Sequence, residues 1–406
     1  MIRRLQRRKI RSYEGDEDMS EANDGGVIAL RGQVVTDYEV WPEGMVLFEG
    51  GIIRDISPDA SLLAGADQVI EYPDSLIVPG LVDLQVNGGF GIDVATEPER
   101  LPELSQALLA NGVTSYLPTV ISAPESLYND TLPKIATAAK TPTTGPKILG
   151  VHLEGPFLNP AKNGAHDPEH ILPPDPELLR RLLELAPVRM LTLATELEGA
   201  AELVGIARER NVVVSTGHSD ATYEQAYPAL DAGVASLTHL FNAMSSLHHR
   251  EPGLPGAAFA HPNVVCGLIA DGLHVHPETI NLAFRMLGPD RIHLVTDSTA
   301  GSGMKTGHFP LATREIHVDA GVTRLEDGSI AGSVVAMSEA LQNILAFTGC
   351  TIPEAVRMAS TTPARLVGEG RRKGRLVSGY DADITVLAPN LYAEAVWCGG
   401  ELAYTR

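Results

Sequence analysis

The chain has 406 residues, 44% of them hydrophobic and 20% charged, which fits a globular protein with one big domain and an accessory piece, or two domains. Its formal charge is −20, from 31 basic and 51 acidic side chains, which argues against a nucleic-acid-binding body, since that would present a basic surface. No apolar run approaches the roughly 20 residues of a transmembrane helix, and the odd, widely spaced Cys266, Cys350 and Cys398 fit a reducing cytoplasm rather than a disulfide framework.

Residues 1–24 hold six basic and six acidic side chains, so the charge excess lies entirely in the rest of the chain. Their basic start is followed by acidic residues and not by the apolar core of a signal peptide. The polar composition predicts a disordered tail, or an extension ahead of a true start at Met19. Residues 25–75 read as short strands, VIALRGQVV, GMVLFEGGIIRDI and QVIEYP, with Glu49-Gly50-Gly51 as a hairpin turn. Residues 376–406 again read as strands, ADITVLAP and YAEAVWCGGELAY. Neither segment is long enough to enclose a core alone, so a small β-sandwich domain built from both termini is expected.

Between them, over residues 76–375, eight strand-like runs alternate with amphipathic helical patterns: LIVPGLVDLQVN, VTSYLPTV, ILGVHLEG, RMLTLAT, VVVSTGH, SLTHLFN, VVCGLIADGLH and IHLVTDST. The expectation is a (β/α)₈ TIM-type catalytic barrel, with a doubly wound open sheet as the alternative.

In a barrel the residues that act stand at the carboxyl ends of the strands. The fifth and sixth runs, joined by a helical interval from Tyr223 to Ala232, form a βαβ unit that places His218 and His239 on one rim. The third run ends in Glu154. Two imidazoles and a carboxylate make a zinc-type shell that leaves a position open for water. Asp297, at the end of the eighth run, suits a general base within reach of that water. Taken alone, His166 and His274 read as hydrogen-bonded structural imidazoles, and His152 has no assignment. Binuclear barrel hydrolases carry His-x-His on the first strand and often a carboxylated lysine on the fourth. This chain has Gln85 and Asn87 at the first place and no lysine in RMLTLATE, so one metal is expected and not two.

The stretches VPGLVDLQVNGG, HLEGPFLNPAKNGAH, STGHSDAT, THLFNAM, DGLHV, LVTDST and AGSVVAMSEA together resemble the amidohydrolase superfamily and, within it, the N-acetylglucosamine-6-phosphate deacetylases, from about residue 25 to 390. The resemblance implies hydrolysis of the N-acetyl group of N-acetylglucosamine 6-phosphate in amino-sugar catabolism, by a cytoplasmic homodimer with one divalent metal per subunit, zinc or alternatively iron(II). It implies metal ligation by Glu154, His218 and His239, with Asp297 as acid and base. His166 would polarise the substrate carbonyl, His274 would contact the sugar, and Gln85 and Asn87 match the single-metal branch at the substrate site. Asn242, Ala243 and Arg250 would bind the phosphate, with Arg250 reaching in from the partner subunit. A helix expected to begin at Asn242-Ala243 would offer backbone N–H groups to an anion, and the global negative charge does not prevent a local anion pocket. A cyclic-amide hydrolase or base deaminase is disfavoured by the absent histidines and lysine. A deacetylase of N-acetylgalactosamine 6-phosphate and a non-catalytic sugar-phosphate sensor are the other readings.

Overall fold

The computed structural model describes residues 26–406, so the tail expected over residues 1–24 lies outside the described residues. Eight parallel strands follow one another around a barrel: Leu81–Val86, Val113–Ile121, Val151–Glu154, Val188–Leu193, Val213–Thr216, Ser236–Leu237, Val265–Leu268 and Ile292–Leu294. Each pairs with the next in sequence, as successive βα units require. Strands covered on both faces read as continuous apolar runs, and Val113–Ile121 is buried at every residue. The outer helices turn one stripe inward: Leu178, Leu179 and Leu182 of Pro176–Leu185 are buried, and the Asp175 carboxylate caps that helix through the N–H groups of Glu177 and Leu178. Thr222 and Gln225 form a reciprocal capping box at the start of Tyr223–Asp231.

The first and last barrel strands share no ladder; a buried carboxylate joins them instead. Asp83 Oδ2 accepts from the Thr296 hydroxyl at 2.6 Å, and its Oδ1 accepts from the N–H groups of Thr296 and Gln85. One turn further, the Asn87 N–H donates to the Ser298 carbonyl at 2.8 Å. The seam combines side-chain hydrogen bonds with isolated backbone ones, so the strands close the barrel without matching in length.

The termini make a seven-stranded sheet in the order Glu401–Thr405, Ala393–Cys398, Ile384–Leu387, Gln68–Pro79, Ile28–Val35, Val40–Glu49, Ile52–Ser57. It folds over on itself, which brings Phe48 edge-on to Trp397 with ring centroids 5.2 Å apart, above a core containing Leu30, Ile53, Ile384 and Val386. This is the sandwich built from both ends of the chain. Lys373, at 4% exposure, binds Asp381 at 3.0 Å and also Asp383 beside it, so its charge is paired within the fold.

Three features differ from the sequence expectations. The run LIVPGLVDLQVN is two strands: residues up to Pro79 pair in the terminal sheet, and the barrel strand starts at Leu81. Gly80 makes the changeover, where a Cβ would lie 2.0 Å from the Thr114 hydroxyl, so only glycine lets the chain pass that close. A three-stranded sheet of Gly307–Leu311, Arg314–Asp319 and Val322–Arg324, which the sequence analysis did not pick out, rises after the eighth strand. The helix expected at Asn242-Ala243 begins at Gly253 instead; residues from Asn242 to Pro252 are turns and loop.

Burial pushes Asp83 up to about 6, against the opposing hydrogen bonds from Thr296 and Gln85. A carboxyl raised by folding is protonated longer in the folded than in the unfolded chain, so its contribution is favourable below its unfolded pKa. That contribution is lost as pH rises through the window between about 4 and about 6. Asp83→Asn has no such titration. The stability of the variant relative to the wild type should therefore rise by about 3 kcal/mol between pH 3.5 and 6.5. Urea unfolding at a series of pH values checks this; a difference independent of pH would show that Asp83 titrates normally.

Candidate active site

The carboxyl ends of the barrel strands open into a cavity of about 360 Å³. Three of its walls come from the elements that carry Glu154, His218 and His239. Glu154 Oε1 lies 3.1 Å from His218 Nε2 and 3.0 Å from His239 Nε2, and the two nitrogens are 3.1 Å apart. All three side chains are buried. Burial alone would raise the Glu154 carboxyl, but the two imidazoles beside it hold it well below the usual carboxylate range.

The backbone at this rim is forced. His218, His239, Ala243 and Asp297 all have positive φ, between 32° and 48°, in the left-handed region that non-glycine residues avoid at about 1–2 kcal/mol each. His218, His239 and Asp297 each lie just beyond a barrel strand, where an extended continuation would carry the side chain up and away. The left-handed turn swings it over the barrel mouth. Strain of this kind persists where the surroundings over-determine it, and it collects at functional sites.

A further layer fixes which nitrogen faces the cavity. His218 Nδ1–H donates to the Lys162 carbonyl at 2.8 Å, leaving Nε2 as a lone pair. The loop that bears His218 is held by Glu196, which accepts from Ser219 Oγ at 2.7 Å, from the Asp220 N–H at 2.7 Å and from Asn159 at 2.8 Å. His274 Nδ1 lies 2.6 Å from Asp271 Oδ2. His166 Nδ1 faces Ser122, and its Nε2 is 4.0 Å from Glu154 Oε1. Burial, and then the neighbouring His218, hold His166 well below the ordinary imidazole range, so its ring is neutral. Asp297 Oδ1 accepts from Asn87 Nδ2 at 2.7 Å. Burial, and next the charge of Glu154, push Asp297 up to about 7, against His239, His274 and Asn87. A cation beside Glu154 would cancel that second cause.

The three atoms fit a metal ion. An ionised carboxylate and two imidazole nitrogens converge within 4.8 Å, the sole such buried triad among the described residues. No arginine lines the cavity, and its lysine, Lys162, is already paired with Asp220 at 3.1 Å. A divalent cation supplies what is missing, and two nitrogens with one oxygen suit a site with an open fourth position.

Of the residues singled out in the sequence, Glu154, His166, His218, His239, Asp297, Asn87, His274, Asn242 and Ala243 line this one cavity. Gln85 is buried but does not line it, and its amide nitrogen has no partner. Arg250 is exposed, donates to His249 Nε2 at 2.8 Å, and does not reach the cavity of its own chain. Asn242 and Ala243 stand in a tight turn, where no acceptor among the described residues takes the Ala243 N–H. Lys162, Ser122, Leu311 and Ile330 escaped the sequence analysis. Lys162 sits inside the HLEGPFLNPAKNGAH stretch, so that signal was present; Leu311 and Ile330 come with the unforeseen three-stranded sheet and its following loop.

The amidohydrolase family model matches residues 76–403. The N-acetylglucosamine-6-phosphate deacetylase of Bacillus subtilis is 33% identical, over 91% of this chain and 95% of that protein. The N-acetylgalactosamine-6-phosphate deacetylase of Escherichia coli O157:H7 is 37% identical, over 92% of this chain and 98% of that protein. Among solved structures, a mutant of the N-acetyl-D-glucosamine-6-phosphate deacetylase of Mycobacterium smegmatis in complex with N-acetyl-D-glucosamine-6-phosphate superposes with a TM-score of 0.87 at 31% identity, covering 94% of this chain and 100% of that one.

A single buried triad predicts one tightly held divalent metal per chain. Elemental analysis after dialysis should give about one equivalent, and His218→Ala should lose it. Two retained equivalents, both needed for activity, would refute the mononuclear site.

Proposed function

The chain belongs to the amidohydrolase family, and from that premise we propose that it hydrolyses the N-acetyl group of N-acetyl-D-glucosamine 6-phosphate to glucosamine 6-phosphate and acetate. The observation that carries this is the convergence of the Glu154, His218 and His239 triad with Asp297 and His166 on one cavity. The relatives that cover nearly the whole chain are deacetylases of phosphorylated amino sugars. The sensor reading requires none of these groups, yet all are present.

Glu154, His218 and His239 would hold the metal, zinc by preference for this donor set, with iron(II) as the alternative. A divalent ion there supplies Lewis acidity, polarising a carbonyl and lowering the pKa of water to about 7. With Asn87 occupying Oδ1, Asp297 keeps Oδ2 to take the proton of the attacking water. The same carboxyl returns that proton to the amine nitrogen as the C–N bond breaks. His166 donates a hydrogen bond to the acetyl oxygen as negative charge gathers there. His274, held by Asp271, would bind a sugar hydroxyl. Asn242 and the free Ala243 N–H would receive the phosphate, with Arg250 of the partner subunit completing the site across a homodimer. The exposed place of Arg250, away from its own cavity, supports that arrangement.

Residues 76–375 form the catalytic unit in this reading, and residues 25–75 with 376–406 the accessory β domain. The cysteines Cys266, Cys350 and Cys398 are unpaired, which supports a cytoplasmic enzyme.

The direct test measures acetate release from N-acetylglucosamine 6-phosphate and its galactosamine epimer on one preparation of known metal content. Release from the glucosamine substrate is expected, and Asp297→Asn should lower kcat by at least ~10²–10⁴-fold with metal content unchanged. Bound sugar phosphate with no acetate would favour the sensor, and exclusive turnover of the epimer would reassign the substrate.

Assembly gives a second prediction. Arg250→Ala should raise KM for the phosphorylated substrate by about 10- to 100-fold, because a charge-assisted hydrogen bond contributes ~1.5–3 kcal/mol. Mixing Arg250→Ala with Asp297→Asn chains should restore activity, since one site of each hybrid dimer then has both residues. Failure to recover in mixtures shown to exchange subunits would refute the trans contribution.

A further inference from the structure

His166 differs from the other imidazoles of the cavity in what meets its Nδ1. For His218 that partner is the Lys162 carbonyl, and for His274 it is the Asp271 carboxylate, both acceptors that draw a proton to Nδ1. For His166 it is the backbone N–H of Ser122 at 3.2 Å, with Ser122 Oγ at 2.9 Å. A peptide N–H can only donate, so Nδ1 of His166 must offer its lone pair. A neutral imidazole with a lone pair on Nδ1 carries its proton on Nε2, the atom that faces Glu154 and the cavity.

Ser122 is placed for this by the fold. It is wholly buried, directly after the second barrel strand, and Gly155 gives it room. A Cβ on Gly155, whose φ is 98°, would fall 2.4 Å from Ser122 Oγ, so a side chain there would displace the hydroxyl from His166.

We infer that Ser122 is a positioning residue for the proposed deacetylation: its N–H and hydroxyl lock His166 as the Nε2–H tautomer. The lock makes His166 a hydrogen-bond donor towards the acetyl oxygen. It also keeps His166 out of the metal shell. The His166 and His218 rings stand only 4.3 Å apart, and a lone pair on His166 Nε2 would compete to ligate the same ion and close its open position. The partner at Nδ1 thus separates His218, a ligand with a carbonyl behind it, from His166, a donor with an N–H behind it. The role in turnover rests on the deacetylase reading, whereas the tautomer does not.

The experiment uses the zinc-loaded full-length protein labelled with ¹⁵N-histidine. Long-range proton–nitrogen correlation spectra distinguish the two tautomers, and His166→Gln identifies the His166 signals by their loss. His166 should carry its proton on Nε2 and His218 on Nδ1; a proton on Nδ1 of His166 overturns the inference. Ser122→Ala removes the hydroxyl donor, so the His166 Nδ1 resonance should shift. Its kcat on N-acetylglucosamine 6-phosphate should fall about three- to tenfold, the size of one hydrogen bond, with KM changed less than about twofold and zinc content intact. Ser122→Thr, which keeps the hydroxyl, should restore both signals. A kcat loss without a change at His166, or a change at His166 without a kcat loss, overturns the positioning role. If neither epimer is turned over by the wild type, the deacetylase reading fails while the tautomer measurement still stands.

Discussion

Two imidazole nitrogens and a carboxylate oxygen, each about 3 Å from the others, have to be held where water cannot separate them. Outside a fold, an ionised carboxylate buried this deeply is costly, and two nitrogen lone pairs repel one another. Almost everything else around the cavity answers that constraint. The three groups come from the ends of the third, fifth and sixth barrel strands, so no local segment of chain could assemble them. A rigid circle of parallel strands brings them together because it sets all carboxyl ends on one rim.

The rim demands distortion and the barrel below supplies the rigidity to maintain it. His218, His239 and Asp297 leave their strands through left-handed backbone that unconstrained chain would relax. The strands beneath are buried on both faces, and the seam between the first and last is pinned by Asp83 and Thr296 in place of a ladder. Below the triad, Thr238 at the end of the sixth strand makes hydrogen bonds of 2.7 Å with Ser215 of the fifth and Thr192 of the fourth, and His152 Nε2 joins Thr192 at 2.8 Å. The barrel interior tolerates these three hydroxyls because each meets a partner.

Chemical identity at the cavity is set one layer out. For His218 and His166 the choice between ligand and donor depends on the backbone group behind the ring, the Lys162 carbonyl for His218 and the Ser122 N–H for His166. Backbone groups cannot drift among rotamers, so they orient a ring more firmly than long side chains do. The proposed roles of Asp297 and His166 follow the same division, with one group moving protons and the other holding one still.

Much of this was legible in the chain itself. Eight alternating apolar runs and helical patterns specify a barrel, because period and order determine strand direction, and the residues ending those runs name Glu154, His218, His239 and Asp297 directly. Tertiary structure decided the rest, where the controlling contact lies far away in sequence or in the backbone. LIVPGLVDLQVN splits at Gly80 because Thr114 crowds it from the next strand. Asn242 and Ala243 stand in a turn and not at a helix start, and the cavity wall at Leu311 belongs to a sheet with no apolar run of its own. Gln85 and Arg250, alike in motif to the cavity residues, lie off its surface because one is buried within the first barrel strand, below its end, and an exposed loop carries the other away. Sequence determines which side chains arrive at the rim; only the packed backbone determines which of their atoms face one another, since hydrogen-bond direction is a property of neighbours in space.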